Sequence, residues 1–288
     1  MSRRGWFLFI AMCLIWGIPY LCIRVAVREL DPGCLVFART MPAALVLLPL
    51  AWRRGTLSSL RGKMGWLLAY SVIEFGIPWF LMSTAERHIS SSLAGLIICT
   101  VPLIAVTINK VIHPQQIIGP HRLVGLGLGT LGVAILVGLD VRGSAAGWVG
   151  LMLLVAVGYS IGPMILSYRL HESSGLAVAA VSVTAVAVAY APWGMTHWPS
   201  HLHPTTWLAC GVLTVICTAV AFTLFFTLIQ EVGPSRSVVV TYANTGVAVL
   251  LGTVFLNERL TVGILVGFPL VVIGSYYATS RRSVSPEA

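Results

Sequence analysis

Residues 65–84 read GWLLAYSVIEFGIPWFLMST, an apolar run whose single charge, Glu74, stands about ten residues from either end. A run of this length and apolarity is what an α-helix needs to cross roughly 30 Å of hydrocarbon. A carboxylate at that depth costs between roughly 3 and 10 kcal/mol. It is tolerated only where it faces a polar cavity, meets a cation or stays protonated. Each of those outcomes points to a pathway through a membrane.

The rest of the chain repeats the pattern. Of its 288 residues, 57% are hydrophobic and 9% charged, against about 25% charged in soluble domains; mean hydropathy is +0.92. Ten apolar runs are long enough to span as helices: 6–23, 34–52, 65–84, 92–112, 123–139, 148–168, 175–194, 206–229, 238–256 and 263–279. They are continuous rather than alternating, which argues against a barrel. The expectation is an all-α membrane protein with ten transmembrane helices. The longest connection, Met195 to Thr205, is too short for a soluble domain, so one membrane domain is expected.

With an even number of spans, both termini share a side. That side collects Arg3, Arg4, Arg53, Arg54, Arg61, Lys63, Lys110, Arg122, Arg169, Arg236, Arg281 and Arg282; the opposite loops hold Arg24, Arg28, Arg87, Arg142 and Arg259. This asymmetry predicts cytoplasmic termini in an inner or plasma membrane. The net charge of +9 is thereby explained by orientation, not by nucleic acid, for which no recognition fold is evident. Ser2-Arg3-Arg4 before an apolar stretch mimics a secretory signal, but the run continues past Trp16-Gly17-Ile18-Pro19 without a small-residue cleavage site. An uncleaved first helix is expected. Six cysteines lie in or beside apolar runs without C-x-x-C spacing, so neither a disulfide framework nor a zinc site is indicated.

The chain also matches itself. A shift of 143 residues lays Pro102-Leu103 on Thr245-Gly246 and Gln115-Gln116-Ile117 on Glu258-Arg259-Leu260; one further slip lays Val124-Gly125 on Val266-Gly267 and Gly132 on Gly274. Their constant order predicts two five-helix repeats, 1–140 and 141–288. An odd number of spans per copy inverts the second, an architecture of secondary transporters with a cargo site near mid-membrane.

Several motifs also resemble a family. Trp16-Gly17, Ala85 through Pro102 with Ser90-Ser91-Ser92-Leu93-Ala94-Gly95-Leu96-Ile97, Gly233-Pro234-Ser235-Arg236, Tyr242 and Leu256-Asn257-Glu258-Arg259-Leu260-Thr261 are similar to EamA-type transporters of the drug/metabolite transporter superfamily. The resemblance runs over nearly the full chain. It implies two five-helix repeats, cytoplasmic termini and export of small metabolites or drugs. One departure is Pro114-Gln115-Gln116, uncharged where a Gly-Glu-Arg-like turn would match Asn257-Glu258-Arg259. That argues against a symmetric carboxylate pair and makes Glu258 structural.

Glu74 heads the candidate site as a proton carrier, a counter-charge for a cationic cargo, or a packing residue satisfied by an Arg. Arg39, about five residues into the second span, is its natural partner; it could also hold an anion or snorkel to the interface. Trp16, Trp79, Tyr159 and Tyr242 lie away from span ends, where belt aromatics cluster, and offer faces to a flat cargo or pack ordinarily. Asn244 and Thr245 could hydrogen-bond cargo or link helices. Pro19, Pro42, Pro78, Pro102, Pro163 and Pro269 are expected to interrupt spans. Gly127-Leu128-Gly129-Thr130-Leu131-Gly132 is a false dinucleotide motif inside an apolar helix. Gly125 and Gly129 instead allow close helix approach, within the protein or in a homodimer. His197, His201 and His203 fit a solvated loop better than a metal site.

No nucleophile motif or phosphate-gripping loop is evident, so no cofactor is called for. The sequence reads as a secondary exporter of a small organic solute, embedded in membrane lipid, working by alternating access and open to proton coupling. An uncoupled facilitator of an amino-acid-like solute is the alternative within transport. A lipid or isoprenoid enzyme would need paired carboxylates, and the nine acidic residues are scattered singly except Glu29 with Asp31. A receptor or assembly factor is a further alternative.

Overall fold

The computed structural model describes residues 2–115, 119–140, 145–232 and 240–279. Gln116, Ile117, Arg142, Gly233, Pro234, Ser235, Arg236, Arg281 and Arg282, used above, lie outside them. The described elements are helical throughout: α1 (Arg3–Ala26), α2 (Pro32–Arg53), α3 (Met64–Tyr70), α4 (Ile77–Ala85), α5 (Ser91–Ile98), α6 (Val101–Ile112), α7 (Pro120–Asp140), α8 (Ala146–Arg169), α9 (Gly175–Thr196), α10 (Pro204–Thr214), α11 (Ala221–Val232), α12 (Val240–Leu256) and α13 (Val262–Thr279), with short turns of 3-10 and π helix between some of them.

Among the described residues, seven segments are long and apolar enough to cross a membrane: α1, α2, Met64–Ala85, Ser91–Ile112, α8, α9 and Pro204–Phe225. Three further apolar helices are shorter, Pro120–Leu136, Val240–Leu256 and Val262–Ala278.

Local chemistry sets where helices begin. Ser2 Oγ accepts from Gly5 N at 2.9 Å, Asp31 Oδ1 from Gly33 N at 3.0 Å ahead of Pro32, and Ser90 Oγ from Leu93 N at 3.1 Å. Each side chain supplies an acceptor to a first-turn amide that the helix itself leaves open. Glu258 adds a cap from a distance. Its Oε1 accepts from Ser91 N at 2.8 Å and its Oε2 from Ser92 N at 2.9 Å, with both serine hydroxyls donating as well. This makes it an anchor between the end of α12 and the start of α5.

The expected proline interruptions are only partly realised. Helices continue through Pro19, Pro42, Pro163 and Pro269. Breaks occur beside Pro102, between α5 and α6, and beside Pro78, where Ser71–Gly76 winds as π-helix. Pro78 brings no N–H and crowds the Glu74 carbonyl four residues back, which favours a wider turn there. A second π segment, Val215–Val220, joins α10 to α11; there Thr218 Oγ1 donates to the Leu213 carbonyl five residues back, at 2.8 Å.

Packing pairs α2 with α9, α7 with α13, and α1 and α5 with α12, while α4, α5 and α6 lean on α8 and α1 leans on α10 and α11. The α7–α13 pair packs backbone against backbone at its glycines. A Cβ on Gly132 would meet Val271 N at 2.7 Å, and one on Gly125 or Gly274 would strike the facing backbone. Gly125 and Gly129 therefore serve contacts within the protein, whereas a Cβ on Gly127 would point into open space.

Candidate functional site

A cavity of about 330 Å³ opens between these helices. Its wall includes Trp16 and Tyr20 of α1, Arg39 of α2, Tyr70, Glu74, Phe75, Trp79 and Met82 of the π-broken span, Tyr159 and Ser167 of α8, Phe222 and Phe225 of α11, and Thr241 and Asn244 of α12. Six of the seven candidates read from the sequence thus lie on one surface: Glu74, Arg39, Trp16, Trp79, Tyr159 and Asn244.

Tyr242 does not, and its place is a correction. Its hydroxyl donates to the Ser275 carbonyl of α13 at 3.0 Å, and its ring packs with Cys99 and Val271. Successive residues on a helix point about 100° apart, so Tyr242 and Asn244 cannot share a face. Thr245 is likewise a helix tie, donating to the carbonyls of Thr241 at 3.0 Å and Gly95 at 3.4 Å.

Arg39 is 4% exposed and does not snorkel. Its guanidinium carbon lies 3.6 Å from the Trp79 ring centre, and Nη2 donates to Thr218 Oγ1 at 3.4 Å. Its Nε has no partner among the described residues. The π segment that carries Thr218 brings that hydroxyl to Arg39, a link the sequence gave no sign of.

Glu74 sits in the other π segment. Its Oε2 is buried without a hydrogen-bond partner among the described residues. The opposing wall is α8, which presents Gly158 and Gly162 one turn apart. A Cβ on Gly162 would collide with Glu74 Oε2, and one on Gly158 would lie 2.6 Å from the Ile73 carbonyl. Two missing side chains therefore make the recess that admits the carboxylate. The Tyr190 hydroxyl donates to the Gly76 carbonyl at 3.0 Å, supporting the π turn from behind.

Among the described residues no ion pair joins Arg39 to Glu74; the pairs present are Lys63–Glu172, Arg87–Asp31 and His171–Glu172. The expected partnership is thus not formed. Aromatic rings line the same cavity as the two charges: Phe75 lies 5.0 Å from Trp79 and 5.3 Å from Phe222, and Trp16 lies 4.5 Å from Phe225, centre to centre. The Tyr159 hydroxyl is within electrostatic reach of both Glu74 and Arg39. The surface offers one cationic donor, one carboxylate and flat apolar walls.

Sequence reasoning passed over Tyr20, Tyr70 and Glu86. Glu86 follows directly on Ala85 and precedes Arg87 and His88, so it reads as loop. The structure buries it fully. The three histidines of the loop after α9 are exposed, while its backbone is tied down: His203 N donates to Glu29 Oε2 at 3.0 Å and the His197 carbonyl accepts from Cys34 Sγ at 3.3 Å.

Residues 3–138 and 146–280 each match the EamA-like transporter family. The chain is 26% identical over 294 residues to the uncharacterized inner membrane transporter YedA of Escherichia coli K12, with 96% of this chain and 93% of that protein covered. It is 23% identical over 294 residues to a probable amino-acid metabolite efflux pump of Escherichia coli K12, covering 96% and 95%. A solved crystal structure superposes with a TM-score of 0.68 at 19% identity, covering 96% and 97% of the two chains. That likeness is one of fold.

Proposed function

This chain belongs to the EamA-like transporter family, and from that premise we propose that it exports a small zwitterionic, amino-acid-like solute with an aromatic or apolar side chain. It is a membrane transporter, and its relatives are inner membrane transporters. The observation that carries the finer reading is that Arg39 and Glu74 line one cavity without pairing to each other. Opposite charges that share a desolvated site normally neutralise one another. Left unpaired on one aromatic-lined cavity, they match a ligand bearing a carboxylate at one end and an ammonium at the other. Arg39 supplies a planar donor for the carboxylate, and Glu74 supplies an acceptor for the ammonium. The name of the efflux pump relative agrees with this cargo and with outward transport.

Alternating access would come from two five-helix halves, 1–140 and 141–288, crossing the membrane ten times in opposite senses with both termini cytoplasmic. Three observations support that reading. The family matches twice in succession. The π segments start 144 residues apart, one in each half. Corresponding helices α2 and α9, and α7 and α13, pair with each other, as elements on a pseudo-two-fold axis do. In this scheme Glu74 and Thr218 are counterparts, one facing the ammonium and the other steadying Arg39.

The test is counterflow in proteoliposomes with phenylalanine, its methyl ester and its N-acetyl derivative. The zwitterion should exchange at least about tenfold faster than either derivative, the equivalent of ~1.4 kcal/mol per lost charge contact. Equal exchange of all three would remove the reading.

A further inference from the structure

Glu74 is not the only carboxylate on the cavity-facing stripe of its span. Trp79, Met82 and Glu86 stand at i, i+3 and i+7, and the first two line the cavity. Glu86 continues that stripe one turn further, about 18 Å along the helix axis from Glu74. It is 0% exposed, and neither carboxylate oxygen has a hydrogen-bond partner among the described residues. The Arg24 guanidinium beside it is turned to the Glu86 backbone carbonyl, not to the carboxylate. From this geometry we infer that Glu86 is a proton-binding site at the buried end of that stripe, beyond Met82, distinct from the solute-binding residues.

The surroundings decide what can occupy it. A sodium ion takes several oxygen ligands at close range, and here no described hydroxyl donates to either carboxylate oxygen. A proton needs no ligand cage. The groups that act on Glu86 come from every neighbouring element: Tyr20, Cys22 and Arg24 from α1, Arg39 from α2, Tyr159 from α8, and Glu258 from the turn after α12. Arg24 and Arg39 favour the ionised form, whereas Glu258 opposes it. Burial outweighs them and holds the Glu86 carboxyl well above the usual carboxylate range.

The exchange is simple in its balance. One proton from the aqueous phase adds to a Glu86 oxygen and leaves a neutral acid suited to the sealed end. Loss of that proton to water leaves a buried anion, which is stable only if Arg24 swings across or the end opens to solvent. Protonation thus favours closure at this end. Tyr20 and Tyr159, which line the cavity and lie within electrostatic reach of Glu86, connect its charge to the solute site.

The inference can fail or stand independently of the amino-acid reading, because its test uses no solute. Purified protein and Glu86→Gln are melted in detergent across a pH series. A carboxyl held above its ordinary range makes the folded state bind more protons than the unfolded one. Wild-type stability therefore falls relative to Glu86→Gln as pH rises above about 4.3. Glu74 is present in both proteins and cancels. The expected result is coincident Tm values in acid and a gap that widens toward neutral pH, with Glu86→Gln the more stable. Parallel curves would overturn the inference. If Glu86→Gln does not fold, infrared spectra of Glu74→Gln at neutral pH decide the matter: a protonated-carboxyl band should persist there, and its absence would overturn the assignment.

Discussion

The guanidinium carbon of Arg39 lies over the Trp79 ring, 3.6 Å from its centre, deep in a chain where a lone cation is costly. This contact, with the Thr218 hydroxyl, takes the place of the carboxylate that Arg39 would otherwise seek. A cation over an aromatic face gains about 0.5–2 kcal/mol depending on desolvation, too little to neutralise it. The charge therefore stays available to a solute while its position is fixed.

Lysine at this position would keep the charge but lose the planar fork and the ring stacking. Arg39→Lys is expected to weaken phenylalanine binding about tenfold, or ~1.4 kcal/mol, measured by solute-induced thermal shift. A change below about twofold would mean that the ring contact is packing alone.

Gly158 and Gly162 make different demands although both face the Glu74 segment. Alanine at 162 meets the Glu74 side chain: its carboxyl group, which can move, and its Cβ at 3.0 Å. Alanine at 158 meets the Ile73 carbonyl at 2.6 Å and the Pro78 ring at 3.0 Å, which cannot move easily. Gly162→Ala should fold with little loss of Tm yet slow phenylalanine counterflow about tenfold, consistent with a displaced carboxylate contact. Gly158→Ala should lose about 1–3 kcal/mol of stability. Indistinguishable variants would contradict this picture of the recess.

Tyr242→Phe removes the hydroxyl that donates to Ser275. About 1 kcal/mol of stability should go with it, with solute preference unaltered. Tyr159→Phe acts inside the cavity and should instead change the affinity for phenylalanine. Competition binding on both variants separates the two roles.

These two tyrosines show where the sequence is and is not legible. Both lie inside apolar spans, but which neighbour each faces depends on the rotation of its helix, and that is set by packing against distant spans. Glu74 was legible because one carboxylate in an apolar run has few ways to exist. The break at Pro78 was legible from the missing N–H. The π segment at Val215–Val220 has no proline or glycine to announce it, so its Thr218 contact with Arg39 was hidden. Glu86 was hidden for another reason: Arg87 and His88 follow it, and a polar cluster at the end of a span looks like loop until the chain folds over it.

The loop after α9 offers a test by pH. His203 N and the Thr206 hydroxyl donate to Glu29 and hold its carboxyl below the usual carboxylate range. A depressed value contributes stability above the unfolded value of about 4.3 and loses it as pH falls through the folded one. Glu29→Gln should therefore melt below wild type at neutral pH, and the difference should close in acid. A gap that persists unchanged in acid would show that the loop is held by other contacts.

The separation of Arg39 from Glu74 is tested most directly by charge-specific loss of discrimination. Counterflow of phenylalanine, its N-acetyl derivative and its methyl ester would be compared in Arg39→Gln and Glu74→Gln. Glu74→Gln should stop distinguishing phenylalanine from the N-acetyl derivative while still rejecting the ester, and Arg39→Gln should do the reverse. If both variants lose both preferences together, or neither loses any, the two charges do not hold opposite ends of one solute.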